Sequence, residues 1–198
     1  MASTHITLED LSALVLKNEY IRNCSSNKNK DPSSLSSLIM RSLSQSDCIK
    51  LGTGIEKILQ DIVVQKSSLT NIKQKNTKGK KERDHLFCDE KNKIIYYAEL
   101  KANVNLDTEK SKSTYNKCLD IVNELRIDYP EYTINWCLLG YRYKHYDDIP
   151  QVIQKKYLPI KDNLFGINQY LAMLKIDFTF TDDTYTVFLN QIADEMFN

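Results

Sequence analysis

Glycine and proline are scarce in this chain, with five glycines and four prolines among 198 residues. No Gly-x-x-x-x-Gly-Lys occurs, which argues against a nucleotide-driven machine and leaves no nucleotide cofactor expected. The five cysteines, Cys24, Cys48, Cys88, Cys118 and Cys137, are scattered and odd in number. None forms a Cys-x-x-Cys pair, so a structural zinc is not expected. Histidine is rarer still, at His5, His85 and His145, and no two lie at the spacing of a helical metal motif. No apolar run approaches the roughly 18 residues of a membrane span. The sequence opens Met-Ala-Ser-Thr-His without an apolar signal region, so a reducing cytoplasm and no membrane partner are the expectation. A marked excess of charge of either sign is missing too. Lysine and arginine outnumber the acids by 27 to 26, so any electrostatic footprint must be local.

What is present is an ordinary globular composition, 41% hydrophobic and 27% charged. The length predicts a single domain over 1–198, with 1–50 a helical N-terminal portion. Thr7 is an N-cap candidate for a helix over 7–22, with Leu8, Leu11, Leu14 and Val15 on one side. A polar loop at 23–34 leads to a second helix carrying Leu35, Leu38, Ile39 and Leu43. A third helix is expected over 51–66, with Ile55, Ile58, Leu59, Ile62 and Val63 buried and Glu56 at the border of that stripe. Asp107 or Thr108 should cap a long helix to about Tyr129, with a stripe of Tyr115, Cys118, Leu119, Val122 and Leu125. Tyr132 to Tyr143 reads as a strand whose centre is apolar on both faces. Short helices are expected near 152–157 and 163–174, a short strand at 176–180, and a last helix beginning at Thr181 or Asp182.

The chemistry concentrates in residues 82–103. Asp84 opens a short apolar run. Asp89 to Lys93 has the polar composition of a hairpin turn. Ile94 to Lys101 then reads as a strand. Side chains alternate along a strand, so Ile94, Tyr96, Ala98 and Leu100 share one face, and Glu99 and Lys101 the other. Charges at the end of a core strand are costly unless they meet water, a metal or a substrate. Two carboxylates on neighbouring antiparallel strands, with a backbone carbonyl, make a hard oxygen site suited to Mg2+. The Lys101 ammonium beside such an ion would orient or deprotonate a water, or steady developing negative charge. Those parts suit metal-assisted hydrolysis of a phosphodiester.

This stretch resembles the PD-(D/E)xK nuclease superfamily, and in particular type II restriction endonucleases. The matching residues are Asp84, Glu99, Leu100 and Lys101, with fourteen residues between the two acids. Arg83 stands where the nominal motif has proline. The resemblance covers residues 50–145, with 51–145 as the nuclease core. It implies an α/β fold with a mixed central sheet, a hairpin plus a crossover strand, flanked by helices. It implies Mg2+ held by Asp84, Glu99 and the Leu100 carbonyl, with catalytic roles for Asp84, Glu99 and Lys101. It also assigns Glu56, on the helix before the motif strands, to the site; the residues alone allow a solvated rim Glu equally well. The implied activity is sequence-specific cleavage of double-stranded DNA, with a homodimer matched to a palindromic site. The alternatives are a repair nickase or junction resolvase of the same fold, or a non-catalytic DNA-binding module.

Several residues are candidates for contact with DNA. Lys73, Lys75, Lys78, Lys80, Lys81 and Arg83 fall within eleven residues opposed only by Glu82. Such a run either follows phosphates, of which Lys80, Lys81 and Arg83 are the nearest to Asp84, or is a solvated loop. Asn103 and Asn105 share a face with Lys101 if the strand persists, and either meet DNA or cap a loop. Lys110 and Lys112, near the start of the long helix, are backbone candidates. Lys117 reads as part of a plain amphipathic helix.

Overall fold

The computed structural model describes residues 6–23, 45–72 and 81–197. They belong to two compact units, one of Lys66–Thr179 and one of His5–Gln65 with Phe180–Asn198.

The first unit is a mixed α/β structure around a five-stranded sheet. Its strands are β1 (Thr70–Asn71), β2 (His85–Asp89), β3 (Ile94–Lys101), β4 (Thr133–Gly140) and β5 (Leu164–Phe165), in spatial order β1-β2-β3-β4-β5. β1, β2 and β3 run antiparallel, and β3, β4 and β5 run parallel. The β2–β3 hairpin closes without glycine. Asp89 accepts hydrogen bonds from the Asn92 backbone N–H at 3.0 Å and side-chain amide at 2.6 Å. Lys93 then takes the left-handed conformation with φ 54°. Its ammonium sits 4.9 Å from the centre of the Tyr132 ring, which offsets part of the strain of that backbone.

A parallel neighbour for β3 requires a crossover. Helix α4 (Thr108–Asp128) supplies it, and the Asp107 side chain caps it by accepting from the Lys110 N–H. Leu86, Cys88, Ile95, Tyr97, Trp136 and Leu138 face α4 and pack with its Cys118, Ile121, Val122 and Leu125. The buried stripe of α4 is Ser111, Cys118, Ile121, Val122 and Leu125. Leu119, expected inside, is 36% exposed, and Ile121 is fully buried. The opposite sheet face carries His85, Phe87, Tyr96 and Ala98. There α6 (Ile167–Met173) brings the Tyr170 hydroxyl 2.6 Å from His85 Nδ1. The sheet is thus covered on both sides, and the centre of β3 is buried throughout.

Beyond β4 the chain forms a short helical turn at Tyr146–Asp148, helix α5 (Gln151–Gln154) and a 3-10 segment at Lys155–Asn163 that leads into β5. Gly166 lies against this turn. A Cβ there would stand 2.5 Å from the His145 backbone nitrogen, so only glycine fits the close approach. The strand expected at 176–180 does not form as a sheet member, and the helix expected from 163 begins at Ile167.

The second unit is helical, with α1 (Leu8–Leu16), α2 (Glu19–Arg22), α3 (Gln45–Lys66, whose last residue enters the first unit) and α7 (Asp182–Phe197). Thr7 and Asp10 form a reciprocal capping box at the start of α1. The helix expected over 7–22 is broken because Asn18 accepts from the Tyr20 and Ile21 N–H groups and restarts the chain as α2. α3 begins well before the expected residue 51 and carries Gly52 and Gly54 inside it. Tertiary packing explains this departure. A Cβ on Gly54 would lie 2.7 Å from Ile21, and its carbonyl accepts from the Asn18 amide at 2.8 Å. The expected division at residue 50 therefore falls inside a continuous helix. The helix expected over 35–43 lies outside the described residues. Among those described, no helix is long and apolar enough to cross a membrane.

Candidate functional site

The end of the β2–β3 hairpin brings the motif residues together. His85 pairs with Ala98, so Asp84, one residue earlier, arrives opposite Glu99. Asp84 lies just before β2 and turns its carboxylate into the sheet edge, where it accepts the Leu100 N–H at 2.7 Å. The neighbouring Lys101 carbonyl points the other way and accepts the Tyr141 N–H on the β4 side. Backbone groups alternate along a strand, so the Leu100 N–H and carbonyl both face the edge that Asp84 occupies.

Glu99 is 1% exposed. It is not a solvent-facing charge at a hairpin end, as its sequence position suggests, but a carboxylate enclosed between β3 and α4. Burial of that charge requires partners, and it has them. Lys101 Nζ stands 2.8 Å from Oε1. Lys117 Nζ, arriving from α4, stands 2.8 Å from Oε1 and 2.8 Å from Oε2. The Tyr97 hydroxyl donates to Oε2 at 3.3 Å. The two lysine side chains are about a third exposed, at 35% and 30%. The site is therefore closed around Glu99 and open on its lysine side.

Electrostatics follow from this enclosure. Burial pulls the Lys101 ammonium toward its neutral form, but the carboxylates of Glu99 and Asp84 outweigh it, and the net shift is above the ordinary lysine value. Lys101 is thus firmly cationic, which favours orienting water and steadying negative charge over removing a proton. Burial, then the charges of Cys118, Glu99 and Asp84, drive the Tyr97 hydroxyl far upward, so it serves as a donor. The Cys118 thiol beneath them is pushed up to about 12, by burial first and by Glu99 second.

The donor set suits a hard divalent ion in type. Asp84, Glu99 and the Leu100 carbonyl are the oxygen groups on that edge that would hold such an ion, with water completing the coordination. Among the described residues no cluster of three or more His, Cys, Asp or Glu side chains is placed to hold a metal ion, so the carboxylates form a pair only. Glu56 is half-buried on α3, in the helical unit.

Beside this edge an open groove of about 730 Å3 follows α4, lined by Lys81, Glu109, Lys112, Ser113, Asn116, Lys117 and Asp120. Lys117 belongs to both groove and site. The other candidates for DNA contact sort unevenly. Lys81 faces the groove in an ion pair with Asp120. Lys112 is exposed there. Arg83 is turned onto α4, 11% exposed, and paired with Glu124 at 3.2 Å and Asp128 at 3.8 Å, so it braces the helix. Lys110 pairs with the Asp107 cap at 3.0 Å. The strand stops at Lys101, so Asn103 and Asn105 do not continue its face. Asn103 accepts the Asn105 N–H at 2.8 Å, the loop-capping role, and Asn105 accepts from Lys156 at 3.0 Å. Lys73, Lys75, Lys78 and Lys80 lie outside the described residues.

Lys117 and Tyr97 were missed by sequence reasoning. A signal existed for Lys117, because residues 117, 121 and 125 fall on one helical row and Ile121 and Leu125 are both apolar. Centring the stripe of α4 on Ile121 puts Lys117 at its inner border. No family model, curated protein or solved structure matches this chain.

Proposed function

We propose that this chain is a Mg2+-dependent endodeoxyribonuclease of the PD-(D/E)xK type, acting on double-stranded DNA as a type II restriction enzyme. The observation that carries the reading is the meeting of Asp84, Glu99 and the Leu100 carbonyl at one sheet edge, with Lys101 2.8 Å from Glu99. A mixed sheet with a β2–β3 hairpin and a parallel crossover to β4 supports it, since that is the core the resemblance implies.

The residues divide the work. Asp84, Glu99 and the Leu100 carbonyl would hold the ion. Bound there, Mg2+ supplies Lewis acidity and counter-charge to the scissile phosphate. Lys101, kept cationic by its two carboxylate neighbours, orients the attacking water and steadies charge on the phosphoryl oxygens. Lys81 and Lys112 offer ammonium groups to the DNA backbone along the groove, where counterion release favours association. A homodimer belongs to the same proposal, because a two-fold protein presents one such edge to each strand of a palindrome.

Replacing the ion tests the reading. Ca2+ in place of Mg2+ should preserve DNA binding in a gel-shift or anisotropy assay and abolish cleavage. Cleavage undiminished after chelation with EDTA would remove the metal from the mechanism.

A further inference from the structure

Lys117 has no part in the sequence motif, yet it makes two of the four contacts to the most buried carboxylate of the site. A carboxylate offers about four acceptor positions. Those of Glu99 are filled, Oε1 by Lys101 and Lys117, and Oε2 by Lys117 and Tyr97. A cation that takes Glu99 as a ligand must displace one of these donors. Tyr97 is fixed in the core with no exposure. Lys101 is held by the field of Asp84 as well as by Glu99. Both ammonium groups reach solvent, Lys101 at 35% and Lys117 at 30% side-chain exposure, and Lys117 is the one of the two that lines the 730 Å3 groove. Charge gives the same answer: Glu99 already holds two ammonium groups, and a divalent ion placed beside them favours departure of one.

We propose that Lys117 is a resident counter-ion of Glu99, which a divalent cation displaces into the groove, where its charge meets a DNA phosphate. The inference rests on the metal-dependent nuclease reading of this edge. It makes Lys117 a positioning residue that couples ion binding to backbone binding. The ion and Lys117 compete for Glu99, so removing the lysine charge should strengthen ion binding. The lysine reaches DNA only when the ion is present, so its phosphate contact should appear only with the ion.

Calorimetric titration with Ca2+ of the full chain and of Lys117→Gln, which can still donate a hydrogen bond to Glu99, tests the competition. The variant should bind Ca2+ roughly tenfold tighter or more than the wild type. In parallel, the slope of log K against log salt for binding to a DNA duplex should be steeper in Ca2+ than in EDTA by about one unit, and Lys117→Gln should lose that difference. Equal or weaker Ca2+ binding by the variant overturns the counter-ion role and leaves the nuclease reading standing. Absence of Ca2+ binding by both proteins overturns both. Should Lys117→Gln fail to fold, the lysine side-chain NMR signals of the wild type decide. Saturating Ca2+ should move those of Lys117 to solvated positions, and a Lys117 signal that stays in place contradicts the proposal.

Discussion

Replacing Glu99 by Gln is the most searching perturbation of the site, because it keeps shape and removes charge. Glu99 is 1% exposed and, among the described residues, its carboxylate takes hydrogen bonds from Lys101, Lys117 and Tyr97. The amide retains one acceptor but turns its NH2 toward an ammonium, where two donors oppose each other. Breaking a fully buried ion pair costs about 3–5 kcal/mol, since the surviving charge stays buried. Here both survivors are lysines about a third exposed, able to turn to water. The cost should therefore fall to about 1–2 kcal/mol, part of it offset because Gln itself carries no charge to bury. For a chain of this length that lowers Tm by roughly 2–8 °C. The metal-free melt of Glu99→Gln should thus be cooperative and modestly depressed. Ca2+ should raise the wild-type Tm and leave the variant unmoved, because a ligand stabilises only the state that binds it. Plasmid cleavage should fall to background. A variant that melts with the wild type and gains the same stability from Ca2+ would refute the placement of Glu99 at a metal site. A variant that does not fold would make the carboxylate a structural element first.

Other outcomes follow from the same geometry. Arg83→Ala should lower stability by about 1 kcal/mol in urea unfolding, through lost packing and its pairs with Glu124 and Asp128, while leaving the salt slope of DNA binding unchanged. Lys112→Ala, on the groove wall, should leave stability unchanged and reduce that slope by about one unit. The Lys101 ammonium is raised above its ordinary value in the folded protein. Its stabilising contribution is therefore complete below about pH 10.5, the unfolded lysine value, and is lost as pH rises through the higher folded value. Urea melts of wild type and Lys101→Met should differ by a constant amount from pH 7 to about 10, and the gap should close only at more alkaline pH.

Much of the fold was legible because local chemistry and tertiary structure agree there. Asp89 and Asn92 make the hairpin turn, Asp107 caps α4, and β3 and β4 carry the β-branched and aromatic residues of strands covered on both faces. The departures are places where long-range packing overrides a local signal. Two glycines inside α3 are accommodated because one of them admits Ile21 and Asn18, a contact invisible in the local sequence. The β5 strand has only two residues, too few to leave a pattern. Within the site, alternation along β3 placed Glu99 and Lys101 on one face correctly. It does not tell whether that face meets water or a helix. α4 lies across it, which buries Glu99 and adds Lys117. Arg83 could not be assigned from its neighbours in sequence either, since its partners Glu124 and Asp128 lie about forty residues away on α4.

The central claim is that the Asp84–Glu99–Lys101 edge cuts DNA with a bound divalent ion. It is tested most directly by incubating plasmid and phage DNA with the wild-type chain in Mg2+, beside Asp84→Ala and Lys101→Ala variants shown to fold by thermal melting. Asp84 and Lys101 are only partly buried, so truncating them opens no large cavity and both variants should fold. The account predicts discrete fragments from the wild type, none from either variant, and none after EDTA. Intact DNA with the wild type in Mg2+, or the same fragments from Asp84→Ala or Lys101→Ala, would contradict it.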